Sequence, residues 1–232
     1  METNKYSAQT KTENRYSGES GRAYRKKHAV PSEAHQWIAA DRARKLSNYI
    51  KPDDVVLEYG VGPGWNLELL KCRERLGYDL QFSLHDQAPK EINFIKDSKS
   101  LVDSGIDVVI CHHVLEHTIH PAQVLFEIRR LLCATGRLLL FVPYEKERKF
   151  RTFNPQEPNH HLYSWNVQTL ANLVRDVGFE VQSSSIGRYG YDRILSVLAS
   201  RMRVGGSGFK LMKILALTLI PLLEVRMVAI KQ

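Results

Sequence analysis

The chain reads as an α/β protein built on a mostly parallel sheet with helices on both faces. Three observations predict this. Short, fully apolar runs such as Val55–Tyr59 and Ile106–Cys111 have the pattern of strands buried on both sides. Amphipathic stretches such as Pro121–Leu132 and Val167–Val177 alternate with them. A length of 232 residues, 43% hydrophobic and 25% charged, suits one domain with tails and a full core. It excludes disordered, collagen-like and disulfide-stapled chains.

The elements follow in order. Residues 1–30 are rich in Ser, Thr, Asn, Lys and Tyr without apolar periodicity and read as a mobile basic tail, with partial order near Tyr16–Tyr24. Residues 31–232 form the domain. Pro31-Ser32-Glu33 opens a helix with Ser32 as expected N-cap and an imperfect apolar face of Trp37, Ile38, Ala40, Leu46 and Ile50. Lys51-Pro52-Asp53-Asp54 ends it. Strand Val55–Tyr59 runs into a Gly-rich turn, then a helix over Asn66–Arg73. Leu76–Leu80 and Ile92–Ile95 are the second and third strands. Asp103-Ser104-Gly105 turns into the fourth, Ile106–Cys111. Helix Pro121–Leu132 stops at Ala134-Thr135-Gly136, before the fifth strand, Arg137–Val142. Helix Val167–Val177 ends at Gly178, and Phe179–Ser184 is the sixth strand. A hydrophobic helix over Phe209–Leu219, within the apolar stretch 206–223, precedes the last strand, Val225–Ile230. In an open sheet of this kind the ligand sits beyond the carboxyl ends of the strands. Function should therefore be written just after strands one, two, four and five.

The net charge of +8 is unevenly placed. Residues 1–28 carry +4 and residues 201–232 carry +5, whereas 29–200 carry −1. Basic ends on a neutral body favour an anionic surface or partner over a nucleic-acid groove. Cys72, Cys111 and Cys133 are odd in number and form no C-x-x-C, as for free thiols in a reducing compartment. The polar N-terminus lacks a signal-peptide core, and the most apolar run, Ile214–Leu223, is half of what a membrane span needs. The expected location is cytoplasmic, with membrane association as the alternative.

The first loop reads Glu58-Tyr59-Gly60-Val61-Gly62-Pro63-Gly64-Trp65-Asn66. Its third glycine comes one position early for the dinucleotide fingerprint, and Trp65 stands where that fingerprint has Gly. No P-loop pattern is present. Glu58 beside the turn would repel a pyrophosphate and attract an ammonium or sulfonium group in a poorly solvated pocket. That chemistry points to S-adenosylmethionine. Asp79, about 20 residues on, stands where an acid can accept both ribose hydroxyls; the alternative is a turn cap.

The segment V-L-E-Y-G-V-G-P-G-W-N resembles motif I of class I S-adenosylmethionine-dependent methyltransferases, the type 11 or type 23 group. The blocks V-V-I-C-H-H-V-L-E-H-T-I-H-P, L-L-C-A-T-G-R-L-L-L-F-V-P and H-L-Y-S-W-N-V-Q-T-L extend the resemblance over about residues 30–232. It implies a Rossmann-like three-layer sandwich with a seven-stranded, mostly parallel sheet and an antiparallel last strand. The implied cofactor contacts are Glu58, Tyr59, Gly60, Gly62, Gly64, Asp79, Asp97 and His112. Phe82, Leu84 and Trp65 are candidate walls. The implied lid is the tail, with Tyr24 or its neighbours closing the site.

Two histidine clusters follow strands four and five: His112-His113-Val114-Leu115-Glu116-His117, with His120, and His160-His161-Leu162-Tyr163. His113, His117 and His161 are the candidate catalytic bases, since an alcohol or amine acceptor must lose a proton. A structural role, with Glu116 and His117 bonding the strand-four loop, is an alternative. Relatives with E-x-x-E-H in this place suggest a cation, but His113 replaces the first acid, which disfavours a hard oxygen-rich site. A softer ion held by His113, Glu116, His117 and His161 is the remaining variant, and no metal is assigned. Substrate is expected to be read by the 143–166 insert, where Tyr144, Lys146, Arg148, Lys149 and Arg151 lie.

The expected activity is methyl transfer from S-adenosylmethionine to an O or N atom of a small-molecule, sugar- or lipid-linked metabolite. RNA or protein methylation and non-catalytic cofactor binding are the alternatives. A nucleic-acid partner is disfavoured. The apolar helix before the last strand reads as a core helix packing on the sheet; the alternative is peripheral membrane contact through 201–223, with Arg201, Arg203, Lys210 and Lys213 meeting anionic headgroups.

Overall fold

The computed structural model describes residues 29–80, 89–145, 152–154 and 159–232. The helices are α1 (Ser32–Leu46), α2 (Pro121–Leu131), α3 (Val167–Asp176), α4 (Asp192–Arg201) and α5 (Gly205–Leu219). The strands are β1 (Val55–Tyr59), β2 (Glu74–Tyr78), β3 (Asn93–Ile95), β4 (Ile106–His112), β5 (Leu132–Pro143), β6 (Phe179–Arg188) and β7 (Leu223–Lys231). They form one sheet in the order β3-β2-β1-β4-β5-β7-β6. The first five pair in parallel, and β7 lies antiparallel between β5 and β6. The strand order reverses direction beside β1, which places a crevice at the ends of β1 and β4.

Side chains alternate across the sheet, as the pleat requires. Val55, Leu57, Val109, Cys111, Leu138 and Leu140 pack toward α2 and α3. Val56, Val108, Ile110, Leu139 and Phe141 pack toward α1 and the Gly-rich segment, including Val61, Leu67 and Leu70. Burial on both faces is why the strands read as continuous apolar runs. Outside α1 a third cluster of Ile38, Leu195, Ala199 and Phe209 anchors α4 and α5.

The structure corrects several expectations. Ser32 makes no cap bond to the α1 backbone; Pro31 occupies the N-cap, and the Ser32 hydroxyl turns to Glu33. Residues 66–73 form turns and not a helix. Leu67 and Leu70 are drawn into the core, and the Arg75 guanidinium takes the Leu70 carbonyl. β5 starts directly after α2, at Leu132, so Ala134-Thr135-Gly136 lies within an irregular strand edge. The apolar stretch 206–223 is helical only to Leu219. Helix α4 has no counterpart in the sequence reading. It starts after Tyr191 in the left-handed conformation, with no side-chain cap, and much of its apolar stripe faces outward. The tail with Tyr16–Tyr24, the wall candidates Phe82 and Leu84, and Lys146, Arg148, Lys149 and Arg151 lie outside the described residues.

One buried cation ties the outer helices down. Lys213 of α5 pairs with Asp192 of α4 and, at 2.8 Å, with Asp41 of α1. Asp192 also takes the Arg42 guanidinium. Lys213→Met removes one partner of a buried set and is expected to cost about 3 kcal/mol, because the carboxylates stay behind. Chemical denaturation of the wild type and variant measures it.

Candidate active site at the carboxyl ends of the strands

The Gly-rich loop folds back over β2. The Gly60 and Val61 N–H groups donate to the Tyr78 carbonyl at 2.7 and 3.0 Å. Gly60, Gly62 and Gly64 all have positive φ, which disfavours any side chain there. A Cβ on Gly60 would lie 2.3 Å from Val114, whereas one on Gly62 would meet nothing within 4 Å. Gly60 is thus required by packing, and Gly62 keeps the front of the loop open. The Gly62 N–H donates to Asp79 Oδ2 at 2.9 Å, so Asp79 holds the loop shape from the end of β2.

Glu58 lies under this loop, 1% exposed. The Asn66 amide donates to its Oε1, while Oε2 has no hydrogen-bond partner. Burial pushes its carboxyl up to about 8, against the opposing effects of the Asn66 bond and the Arg42 charge. That carboxyl oxygen, buried without a hydrogen-bond partner, lies beside the open glycine loop.

The other cofactor candidates are placed differently. The Tyr59 ring packs on Tyr78, with centroids 4.8 Å apart, and borders the core on the α2 side. Only its backbone is in line with the loop. Asp97 caps a short 3₁₀ turn, accepting from the Lys99 N–H at 3.0 Å. The His112 imidazole turns toward α1, where Arg42 and Lys45 approach its Nε2 at 2.7 and 3.1 Å. Burial first, then the Lys45 charge, holds it well below the usual imidazole range, so it is neutral.

His113 has φ +58, an unusual conformation for a side chain of this size. The kink turns its ring between two buried acids. Its Nε2 is 3.3 Å from Glu224 and its Nδ1 3.5 Å from Glu116. Tyr189 packs on the same ring, 4.7 Å between centroids. Glu224 is fully buried yet ionised. Burial opposes this, but the His113 bond and the Lys45 charge draw it to about 2. Lys45 sits 2.6 Å away and is itself lowered to about 7 by burial.

The second cluster lies on the far side of His113. Glu116 is fully buried, and neither of its carboxyl oxygens has a hydrogen-bond partner. The expected bonds from its side chain to the strand-four loop are therefore not made. Burial raises its carboxyl to about 8. His117 is lowered to about 4, first by burial and then by His161. The rings of His117 and His161 meet edge-on, 4.9 Å apart. His161 Nδ1 is 3.1 Å from Glu145, which lies just after β5 and also accepts from Ser164. The Leu162 N–H donates to the Glu116 carbonyl at 2.7 Å and staples the two loops together. Donor atoms of Glu116, His117 and His161 lie within 4.8 Å of one another, close enough to share a proton or, equally, a divalent cation.

The structure thus brings His117 and His161 together, with Glu116 between them and His113. Sequence reasoning missed Asn66, Arg42, Lys45, Glu145, Tyr189 and Glu224 as members of this region. Arg42 and Lys45 at i and i+3 on one helix carried a faint signal; Glu224 carried none.

Comparison with known proteins gives one consistent result. The family model described as a methyltransferase domain matches residues 32–184. A protein of Mycobacterium tuberculosis named as a probable S-adenosylmethionine-dependent methyltransferase is 27% identical over 53% of this chain and 48% of its own length. The chain thus spans about half the length of that curated relative. Among solved structures, a Thermotoga maritima S-adenosylmethionine-dependent methyltransferase, described as a possible histamine N-methyltransferase, superposes with a TM-score of 0.60 at 16% identity, covering 86% of this chain and 91% of that one. A Haemonchus contortus phosphoethanolamine N-methyltransferase, solved with phosphomonomethylethanolamine and S-adenosylhomocysteine, gives 0.56 at 15% identity over 85% of this chain and 56% of its own.

The Glu116 carboxyl makes a pH prediction. Its folded pKa of about 8 exceeds the ordinary carboxyl value of 4.5, so the folded chain binds the proton more tightly. Its protonation supports the fold at low pH, and that support is lost as pH rises from about 5 to about 8. Glu116→Gln removes this dependence. The variant should gain on the wild type by up to about 1.4 kcal/mol per pH unit across that window, with no further gain outside it. Denaturant midpoints at several pH values test the slope.

Proposed function

The chain belongs to the methyltransferase-domain family, whose class I members use S-adenosylmethionine, and from that premise we propose that it methylates an O or N atom of a small-molecule, sugar- or lipid-linked metabolite. The observation that carries the acceptor chemistry is the Glu116–His117–His161 cluster at the carboxyl end of the sheet, with Glu116 buried and both rings half-buried. An alcohol or amine must shed a proton as it is methylated. The solved relatives named as N-methyltransferases support an acceptor of this kind.

The residues on hand fit the cofactor. The open front of Gly62 admits a ligand against the backbone, and the Glu58 Oε2 near it has no hydrogen-bond partner. Glu58 would face the amino end of the cofactor, Asp79 the ribose, and the backbone at His112 the methionine part; Asp97 is the remaining candidate, for the adenine. When bound, the cofactor supplies an electrophilic methyl group on a sulfonium. Asp79 and the glycine loop orient it, which is most of the work in an in-line displacement. Burial keeps His117 uncharged at neutral pH, and Glu145 fixes the His161 ring, so the pair can receive the acceptor's proton at an imidazole nitrogen. Glu145, 3.1 Å from His161 Nδ1, is placed to stabilise the resulting imidazolium. His113, bonded to Glu224 through Nε2, is the third candidate base.

Two measurements check this. Titration calorimetry with S-adenosylmethionine and NAD in parallel should show binding of the former alone. Because Glu58 must ionise to meet a cation, affinity should rise with pH up to about 8 and then level off. Glu58→Gln should weaken binding about tenfold or more and abolish the pH dependence. NAD binding without S-adenosylmethionine binding would overturn the premise.

Transfer is then followed by mass spectrometry of extracts incubated with methyl-labelled cofactor. His117→Ala and His161→Ala should each slow labelling by about 10²–10⁴-fold while cofactor affinity holds. Undiminished labelling in both variants would remove the cluster from the chemistry.

A further inference from the structure

Helices α4 and α5 leave an apolar face that nothing in the described structure covers. On α4, Ile194, Leu198 and Met202 repeat every four residues, 59%, 42% and 58% exposed. On α5, Leu211, Ile214, Leu215 and Leu219 form the matching stripe at 59%, 54%, 54% and 79%. Single exposed apolar side chains are ordinary, but two adjoining stripes on consecutive helices mark a contact surface. The opposite side of α5, through Phe209 and Lys213, is buried against α1 and α4, so the exposed stripe is not a core face turned the wrong way.

The charges around this face select its partner. Residues 193–223 contain five Lys/Arg and no Asp or Glu. Lys213 is used internally, and Arg193, Arg201, Arg203 and Lys210 are exposed. An apolar face whose own residues include no acid and whose border is basic, apart from Glu33 of α1 against Ser200, fits an anionic bilayer surface. A second copy would set like charges against each other, and residues 1–28 carry a net +4 and would meet the same repulsion. No helix among the described residues is long and apolar enough to cross a membrane, so the contact is made in the plane of the interface.

We propose that the α4–α5 face docks on anionic membrane surfaces. The consequence for chemistry is short-range. Tyr189, which packs on His113, is three residues ahead of Asp192, where α4 begins. Docking α4 therefore sets the site rim close to the lipid, and a lipid-linked acceptor becomes the favoured class. That last step rests on the methyl-transfer reading, whereas the docking does not.

The test uses the full chain, without turnover. Co-sedimentation compares phosphatidylcholine vesicles with vesicles containing phosphatidylglycerol. Binding should require the anionic lipid and weaken as salt is raised. Leu215→Glu with Leu219→Glu, both at exposed positions, should abolish it while circular dichroism and cofactor affinity stay unchanged. Arg201→Gln with Arg203→Gln should weaken it roughly 30-fold, at about 1 kcal/mol for each cation. Binding that ignores anionic content, or that survives Leu215→Glu with Leu219→Glu, would overturn the proposal. So would a dimer in sedimentation velocity that the same double variant dissociates. Vesicle binding with no methyl transfer would leave the docking standing and sink only the enzymatic reading.

Discussion

A chain of buried charges organises the molecule around its site. It runs from Arg226 and Glu224 on β7 through Lys45, His112 and Arg42 to Asp192, Lys213 and Asp41. Each member would be costly alone in an apolar interior, and each is matched by a neighbour of opposite charge or a ring nitrogen. The chain crosses four elements, α1, β7, α4 and α5, and meets the sheet at the end of β4. The same contacts that hold the outer helices in place therefore fix the floor of the site.

The topology explains why acids and histidines converge there. Parallel β1, β2, β4 and β5 deliver Glu58, Asp79, His112 and Pro143 to one edge of the sheet. Antiparallel β7 begins at that edge, so its second residue, Glu224, enters the site from the opposite chain direction. Positive φ at His113 then turns the chain sharply enough for Glu116 and His117 to face His161. The result is two carboxyls, Glu58 and Glu116, kept neutral by burial on either side of the fourth strand. Both are perturbed by the same cause, the loss of solvent around a carboxyl.

Charge is distributed by function and not by average. The net +8 suggests a generic basic protein, yet Glu58 and Asp79 flank the Gly-rich loop, and the exposed Arg193, Arg201, Arg203 and Lys210 lie on or beside α4 and α5. The apolar stripes on those helices and the buried polar network beneath them are two sides of one construction. Phe209, Met212 and Ala216 face inward, while Leu211, Ile214, Leu215 and Leu219 face outward.

By itself the sequence determined the strand–helix alternation, the position of the glycine loop and the residue types at the ends of β1, β2 and β4. Those features are local: apolar runs, turn residues and a short motif specify them without reference to distant chain. The same locality misled at residues 66–73, where helix-forming residues are pulled into turns by Leu67 and Leu70 packing on the sheet. It also concealed α4, whose buried face of Leu195, Ser196 and Ala199 is blurred by the exposed apolar Ile194 and Leu198 beside it. Only the tertiary structure decided the partners. Glu224 lies 111 residues from His113, and Asp192 lies 150 from Arg42. Such pairs depend on strand order and on one antiparallel return, which no stretch of residues encodes alone. The burial that raises Glu58 and Glu116 and lowers His117 is likewise a property of the assembled layers.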